Sequence, residues 1–142
     1  MPPPIGGVYK IISAQCGLSL DLSGSDQKSI IGYEWHGGRN QQWFVDPQPD
    51  RPDTFIILNG SKPVGLSFEG NPGDGVPVVA IEEPGIWVIR PDGENPSAFS
   101  RIFVPDTPFN LELPDEPVPE SPVTLFGQSQ PGINQTWLLE RV

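Results

Sequence analysis

Apolar residues in this chain recur in short runs that are separated by clusters of glycine, proline, asparagine and aspartate. In the segment 18–22 (LSLDL) apolar and polar residues alternate, which is the pattern of a strand with one buried face. No segment keeps an apolar stripe at helical spacing. The sequence has 16 Gly and 19 Pro, which favour tight turns and oppose long helices. The pattern predicts an all-β protein built from many short strands.

A unit of about four strands repeats three times along the chain. Each unit has a hairpin carrying an acidic residue, a second apolar strand, a loop and a strand that contains tryptophan. The three tryptophans, Trp43, Trp87 and Trp137, lie 44 and 50 positions apart. Units of this length suit propeller blades or a β-trefoil, and three units are too few for a propeller. We predict a single β-trefoil domain over residues 1–142, with repeats at about 8–46, 53–90 and 101–142.

The charge balance is acidic and restricts the partners. Eight basic residues stand against 18 acidic ones, and the formal net charge is −10. A surface of this sign repels nucleic-acid backbones and anionic membranes. We therefore expect no nucleic-acid binding and no membrane insertion. Neutral sugars stay compatible with this charge, because their recognition depends on directed hydrogen bonds and ring stacking.

The single cysteine and the N-terminus bear on the cellular compartment. Cys16 has no second cysteine with which to form an internal disulfide, and we expect it to be a half-buried apolar residue. The segment 1–7 (MPPPIGG) lacks the basic and apolar regions of a secretory signal. No run approaches the roughly 18 apolar residues of a membrane span. These features predict a cytoplasmic protein; removal of a signal from a longer precursor is the weaker alternative.

The first unit brings together the residue types that a sugar site requires. Asp21 lies on the polar face of the 18–22 strand, Trp35 follows on the next strand, and Asn40 lies in a glycine-containing loop. A carboxylate accepts charge-assisted hydrogen bonds from two neighbouring hydroxyls, and an amide can donate to one hydroxyl and accept from another. An aromatic face covers the apolar C–H patch of a pyranose. This set predicts a shallow monosaccharide site within residues 21–43.

Three strands of Gln-x-Trp type, the aspartate hairpin and the string IIGYEWHGGRNQQW at 30–43 resemble the ricin B-chain lectin family, particularly its cytosolic mushroom members. The resemblance extends from Val8 to Val142, and it is specific in the first unit and loose in the second. It implies a β-trefoil that binds terminal galactose or N-acetylgalactosamine groups on glycans or glycoproteins through its first repeat. A role in defence is also implied.

The resemblance assigns roles to residues of the first unit. Asp21 takes the place of the family's sugar-clasping carboxylate, Gly24 offers its backbone N–H, and Asn40 supplies the amide. Gln41 and Trp43 carry the structural motif. In that motif the tryptophan packs in the barrel core, and the glutamine braces the backbone beside it.

The aromatic partner of the sugar has more than one candidate. Trp35 is our first choice for the stacking ring, because the other units have no tryptophan at the matching position. A shift of one residue in the loop would bring Tyr33 or His36 into the same role, and both stay as alternatives. His36 is the only histidine, so we expect a polar loop residue rather than a metal ligand, with a contact to a sugar hydroxyl as the less favoured alternative.

The other two units depart from the full set of sugar-binding residues. In the second unit we take Glu69 as the carboxylate, and Gly85 stands where a glutamine is needed, so no working site is expected. In the third unit Phe126 and Asn134 match, but Glu112 replaces the aspartate. Its extra methylene pushes the carboxylate into the space of the sugar hydroxyls. We expect weak or absent binding there, and a single functional site in the protein.

The sequence favours a binding protein over an enzyme. A glycosidase needs two opposed carboxylates across a cleft, and nothing in the sequence pairs two acidic residues in this way. We predict no catalytic residue, no cofactor and no metal site.

The alternative function is a β-trefoil protease inhibitor that acts through the Pro-rich stretches 46–52, 90–96 and 114–122, whose rigidity limits the entropy lost on docking. Formation of a homodimer is left open.

Overall fold

The computed structural model describes residues 6–142, and twelve strands lie in this part of the chain. The first unit contains β1 (Gly7–Ser13), β2 (Ser19–Leu22), β3 (Ile30–Tyr33) and β4 (Trp43–Pro47). The second contains β5 (Thr54–Asn59), β6 (Gly65–Phe68), β7 (Val78–Ile81) and β8 (Trp87–Pro91). The third contains β9 (Ser100–Phe103), β10 (Phe109–Glu112), β11 (Thr124–Gly127) and β12 (Trp137–Arg141). The all-β prediction is confirmed.

Two short 3₁₀-helices, Arg39–Gln41 and Ile133–Gln135, are the helical segments in the described residues. They lie just before β4 and β12, in the first and third repeats. The second repeat has an irregular segment at the matching place. None of the helices within residues 6–142 has the length and apolar character needed to cross a membrane.

Six of the strands close into an antiparallel barrel. β1 pairs with both β4 and β12, and the circuit runs on through β5, β8 and β9. The other six form three hairpins, β2–β3, β6–β7 and β10–β11. The hairpins meet one another through the bridges Ser29↔Val79, Ile31↔Pro122 and Pro77↔Thr124. A closed barrel with three mutually contacting hairpins is the β-trefoil that the repeated units predict.

Three equivalent tryptophans form the centre of the core. Trp43, Trp87 and Trp137 begin β4, β8 and β12 and are fully buried. Each indole N–H donates a hydrogen bond to the carbonyl of a buried leucine in the hairpin of its own repeat; the leucines are Leu20, Leu66 and Leu111, at 2.9, 2.9 and 3.2 Å. A buried indole requires such a partner. These bonds tie every hairpin to the barrel, and the core position predicted for the tryptophans is confirmed.

The same bonds show which residues are equivalent in the three hairpins. The residue after the bonded leucine is Asp21 in the first repeat, Ser67 in the second and Glu112 in the third. Our assignment of Glu69 to the carboxylate position was therefore wrong. Glu69 lies two residues further along, beyond the end of β6, where it is exposed and forms an ion pair with Lys28 at 3.2 Å.

Cys16 is exposed, and the expectation of a half-buried apolar residue was wrong. It lies in the tight turn between β1 and β2, where Gly17 adopts a φ of 80°. Gly17 N donates to the Ser13 carbonyl at 2.9 Å and closes this turn. The turn leaves the Cys16 side chain outside the barrel.

The contribution of the hydrogen bond between barrel and hairpin can be tested at Trp87. Replacing Trp87 with Phe removes the indole N–H, leaves the buried Leu66 carbonyl with the Gly85 N–H as its one donor and opens a small cavity. We expect the free energy of unfolding to fall by about 2–4 kcal/mol, as measured by urea denaturation. Ile86→Ala serves as the control, because Ile86 is 52% exposed and should cost less than about 1 kcal/mol. Equal losses in the two variants would contradict this role.

Candidate functional site

A shallow depression of about 400 Å³ lies on the first repeat, where the β2–β3 hairpin meets the loop before β4. Several of the residues singled out in the sequence line it, and these are Asp21, Gly24, Tyr33, His36 and Asn40. Glu120, which comes from the third repeat, also lines it. The depression therefore gathers most of the predicted set, and it adds Ser23, Ser25, Ile31 and Glu120, which the sequence analysis did not assign to the site.

Asp21 is the best-fixed side chain of this depression. Asp21 is only 3% exposed. The side chain of Leu20 on the same strand packs in the core, and Asp21 lies under the loop before β4. Its Oδ2 accepts a hydrogen bond from Gln41 Nε2 at 2.8 Å, and its Oδ1 accepts one from Asn40 Nδ2 at 3.2 Å. Each carboxylate oxygen keeps a further lone pair. Asp21 can therefore still accept hydrogen bonds from two hydroxyls of a ligand.

Gln41 holds both the carboxylate and the loop that follows β3. Its side chain is fully buried, and Nε2 also donates to the Glu34 carbonyl at 2.8 Å. Its Oε1 accepts a hydrogen bond from His36 N at 2.9 Å. Rotation of the amide would break three hydrogen bonds in a buried place, each costly to leave unmade. The amide of Gln41 is therefore locked with Nε2 toward Asp21.

Asn40 and Gly24 supply the polar groups beside the carboxylate. Asn40 Nδ2 also donates to the Leu22 carbonyl at 3.2 Å, and the Asn40 carbonyl accepts from Asn59 Nδ2 at 3.1 Å. These contacts fix the side chain while its Oδ1 has no hydrogen-bond partner among residues 6–142. Gly24 is exposed, and its N–H is likewise without an acceptor in the described chain. One acceptor and one donor are thus available next to Asp21.

Burial changes the acidity of Asp21. Removal of the carboxylate from water raises its pKa above the ordinary value of 3.8. The hydrogen bond from Gln41, the charge of His36 and the hydrogen bond from Asn40 lower the pKa, but they offset the burial only in part. The carboxylate is therefore protonated at a higher pH than an exposed aspartate would be.

Tyr33, and not Trp35, contributes the aromatic ring that lines the depression. Tyr33 is 38% exposed, and its ring meets the His36 ring edge-on with centroids 6.3 Å apart. Trp35 is partly buried outside the depression, where Lys10 Nζ lies 5.0 Å from its ring centre. A cation at this distance interacts with the ring face. This placement does not support our first choice of Trp35 as the stacking ring.

The register of the hairpins shows which aromatic residues of the first and third repeats are equivalent. Tyr33 pairs with Ser19 across the first hairpin, and Phe126 pairs with Asn110 across the third. Ser19 and Asn110 each lie two residues before the carboxylate position, so Tyr33 and Phe126 are equivalent. The aromatic residue of the first repeat that matches Phe126 is therefore Tyr33, which was an alternative to Trp35 in the sequence analysis. The cross-strand position was the signal that identifies it.

A second depression, of about 330 Å³, lies on the third repeat and is lined by residues that include Glu112, Phe126 and Asn134. Gln135 Nε2 donates to Glu112 Oε1 at 2.9 Å, as Gln41 does to Asp21. Asn134 Nδ2 donates to the Leu113 carbonyl at 3.0 Å, and within the described chain it makes no bond to the carboxylate. Phe126 is 41% exposed. The carboxylate is thus present but is held by one amide instead of two.

The second repeat lacks both the carboxylate and the amide. Ser67 takes the place of Asp21, and Gly85 takes the place of Gln41. Gly85 N donates to the Leu66 carbonyl at 2.9 Å. A side chain at position 85 would begin 3.2 Å from Ser67 Oγ, which leaves little room for a glutamine. In the second repeat the carboxylate is therefore replaced by the hydroxyl of Ser67, and the amide is replaced by a glycine that has no side chain.

A buried arginine beneath the third repeat was not indicated by the sequence analysis. Arg101 is 1% exposed, and its Nε donates to Asp92 Oδ1 at 2.9 Å. Its Nη1 donates to Gln135 Oε1 at 2.7 Å, and its Nη2 donates to two carbonyls of the loop before β12, those of Ser129 and Pro131. A buried guanidinium needs partners of this kind. Arg101 fixes the Gln135 amide so that its Nε2 points to Glu112.

The importance of Arg101 can be measured as stability. Replacing Arg101 with Met leaves Asp92 as a buried charge without its partner, so we expect the free energy of unfolding to fall by about 3–5 kcal/mol. Arg90→Met is the matched control, since Arg90 is exposed and its guanidinium lies 4.5 Å from the Phe103 ring centre. It should cost less than about 1 kcal/mol. Urea denaturation of both variants tests this, and similar losses would argue against the Arg101 network.

The fold and the first depression together define a β-trefoil with a shallow polar site of the lectin type. Its groups can exchange hydrogen bonds with hydroxyls and can cover an apolar ring face. Within the part of the chain described, no group of three or more His, Cys, Asp or Glu is placed to hold a metal ion. The sequence model of the family described as "Ricin-type beta-trefoil lectin domain-like" matches residues 3–81. The chain belongs to this family of ricin-type β-trefoil lectins.

Solved structures of fungal lectins resemble the whole chain. The Macrolepiota procera ricin B-like lectin, solved in complex with lactose, is 38% identical, with a TM-score of 0.91 and full coverage of both chains. The Rhizoctonia solani agglutinin is 23% identical, with a TM-score of 0.85 and full coverage of both chains. The Polyporus squamosus lectin, bound to a human-type influenza-binding epitope, is 19% identical, with a TM-score of 0.83 over 97% of this chain and 50% of that one. The last two show the fold alone. Among curated protein sequences, none matches this chain.

Proposed function

We propose that the protein is a lectin that binds terminal galactose or N-acetylgalactosamine groups of glycans and glycoproteins through the depression of its first repeat. The observation that carries this proposal is the Asp21 carboxylate, which is buried, held by Gln41 and Asn40, and still has free lone pairs. The Macrolepiota procera lectin, 38% identical over its full length, was solved with lactose, and lactose ends in a galactose. That likeness supports the choice of sugar.

Each side chain of the depression has a role in this binding. Asp21 accepts hydrogen bonds from two neighbouring hydroxyls of the sugar, and these are charge-assisted. Gly24 N–H donates to a hydroxyl, and Asn40 Oδ1 accepts from one. The Tyr33 ring covers the apolar C–H face that galactose presents because its axial O4 points to the other side. His36 lies against the Tyr33 ring and is exposed, so it borders the bound sugar.

The site is open and small, so a single sugar is held weakly. Three or four hydrogen bonds and one ring contact correspond to millimolar binding of a monosaccharide, about −4 kcal/mol. An extended glycan or several copies of the protein would raise the avidity. We propose weak or absent binding in the third repeat, because Glu112 is longer than aspartate and one amide fewer holds it.

The remaining functional assignments follow the same proposal. We propose binding without catalysis and without a cofactor, together with a cytoplasmic location and a role in defence.

The alternative of a protease inhibitor is less favoured. One end of the Pro-rich stretch 114–122 is attached to β3, where Glu120 N donates to the Gly32 carbonyl at 2.8 Å and Gly32 N donates to the Ser121 carbonyl at 2.9 Å. That end forms a wall of the sugar site instead of a free inhibitory loop.

The site assignment predicts which of three variants lose their binding to lactose. Asp21→Asn removes the charge and one acceptor, and Tyr33→Ala removes the stacking ring; each should abolish retention on immobilised lactose, a loss of about tenfold or more in affinity. Trp35→Ala should be retained like the parent, because Trp35 lies outside the depression. Circular dichroism checks that all three are folded. Loss of retention in the Trp35 variant with retention in the Tyr33 variant would overturn the aromatic assignment.

The raised pKa of Asp21 predicts how lactose binding depends on pH. Protonation converts the carboxylate from an acceptor of two hydroxyls into a partial donor, so binding is complete above the pKa of Asp21 and is lost as pH falls through it. Because that pKa is raised, the midpoint of the loss should lie above pH 3.8. Calorimetric titrations with lactose over a pH series measure this. Affinity that stays constant to below pH 3.8 would contradict the role of Asp21.

A further inference from the structure

Glu120 brings an acidic side chain of the third repeat into the first-repeat depression. It lines the same depression as Asp21 and Tyr33, although it belongs to the Pro-rich stretch 114–122 of another unit. The repeat comparison did not associate this stretch with the sugar site. The structure places a residue there that none of the three-fold equivalences would identify.

The position of Glu120 is fixed by the backbone around it. Glu120 N and Gly32 N form hydrogen bonds with carbonyls on the opposite segment, and Ile31 bridges Pro122. The segment 120–122 therefore lies beside β3 and is held there by these hydrogen bonds and by an isolated antiparallel bridge. Glu120 has a φ of 76°, which is uncommon for a residue with a Cβ and persists where surrounding contacts enforce it. The turn that leads into it is closed by Ser121 Oγ, which accepts a hydrogen bond from Val118 N at 2.9 Å.

The Glu120 carboxylate is not used in the structure of the protein. It is exposed, and within residues 6–142 it has neither a hydrogen-bond partner nor an ion-pair partner. Two exposed carboxylates of the described chain are in ion pairs, Glu69 with Lys28 and Asp106 with Arg51, and neither lines this depression. A negative charge without a partner at the edge of a ligand depression acts on whatever the depression holds.

The other charged groups near the depression do not cancel this charge by contact. Asp21 is buried and bonded to two amides, and His36 is exposed beside Tyr33. Lys62 lines an adjoining depression on the other side of Asn40 and Gly24. Of the two carboxylates in the first-repeat depression, Glu120 is therefore the one that is exposed to the outer parts of a glycan.

We propose that Glu120 is a specificity-determining residue that makes the first-repeat site disfavour glycans with an acidic group and favour neutral or amino sugars. The inference rests on the proposed function of this site. A sialic acid or sulfate next to the bound galactose is repelled by Glu120, whereas a protonated amine is attracted. Between partly exposed charges a few ångströms apart such an effect is about three- to tenfold in affinity, and salt screens it.

The test compares Glu120→Gln with Glu116→Gln. Both glutamates lie in the same stretch, both are exposed and both have positive φ, 76° and 51°, but Glu116 does not line the depression. Calorimetric titrations use lactose, 3′- and 6′-sialyllactose, galactose and galactosamine, each at low and high salt. Because glutamine has the shape of glutamate, steric effects of the sialic acid are equal in both proteins and cancel in the comparison.

Glu120→Gln should raise the affinity for at least one sialyllactose relative to lactose by about three- to tenfold at low salt, and by less at high salt. It should lower the affinity for galactosamine relative to galactose. Glu116→Gln should leave both ratios unchanged. If Glu120→Gln binds lactose but leaves both ratios unchanged, or if Glu116→Gln changes them equally, this inference is overturned and the proposed function stands. If the unmodified protein binds no lactose, the proposed function fails, and the inference fails with it.

Discussion

The hydrogen bond from a buried tryptophan to a hairpin carbonyl is the contact on which the site depends. In each repeat the indole at the start of the last strand bonds to the leucine carbonyl of the hairpin, as Trp43 does to Leu20. The next residue of the hairpin must then lie at the surface side of the core, beneath the loop that precedes the tryptophan. Asp21, Ser67 and Glu112 occupy this position. The core therefore determines where the carboxylate of the candidate site lies.

The three repeats differ in how far amide side chains hold the group at that position. In the first repeat Gln41 and Asn40 both bond to Asp21, which orders the acceptor before a ligand arrives and lowers the entropy cost of binding. In the third repeat Gln135 alone bonds to the carboxylate, and Arg101 orients that glutamine. The second repeat has neither group. The three repeats thus have a carboxylate held by two amides, no carboxylate, and a carboxylate held by one amide.

The fold was predictable from the sequence, because three tryptophans at similar spacing and short alternating strands restrict the architecture strongly. The sequence also predicted that Asp21 and Asn40 lie together, and the structure brings them into one depression. Spacing alone did not place Tyr33 and Ser67, because loops of different length separate the hairpin from the tryptophan. Cross-strand register aligns Tyr33, and the bond from Trp87 to the Leu66 carbonyl aligns Ser67. The place of Glu120 could not be predicted from the sequence, because Glu120 belongs to another repeat and reaches the depression through a contact between hairpins.

An NMR titration with lactose tests the central claim most directly, because it reports the location of binding on the unmodified protein. If the first-repeat depression is the sugar site, the backbone amide signal of Gly24 and the side-chain amide signals of Asn40 and Gln41 shift together. They saturate at lactose concentrations of about millimolar order, while the signals of Asn134 change little. Shifts confined to Asn134 and its neighbours in the third repeat, or no shift at saturating lactose, would contradict the account.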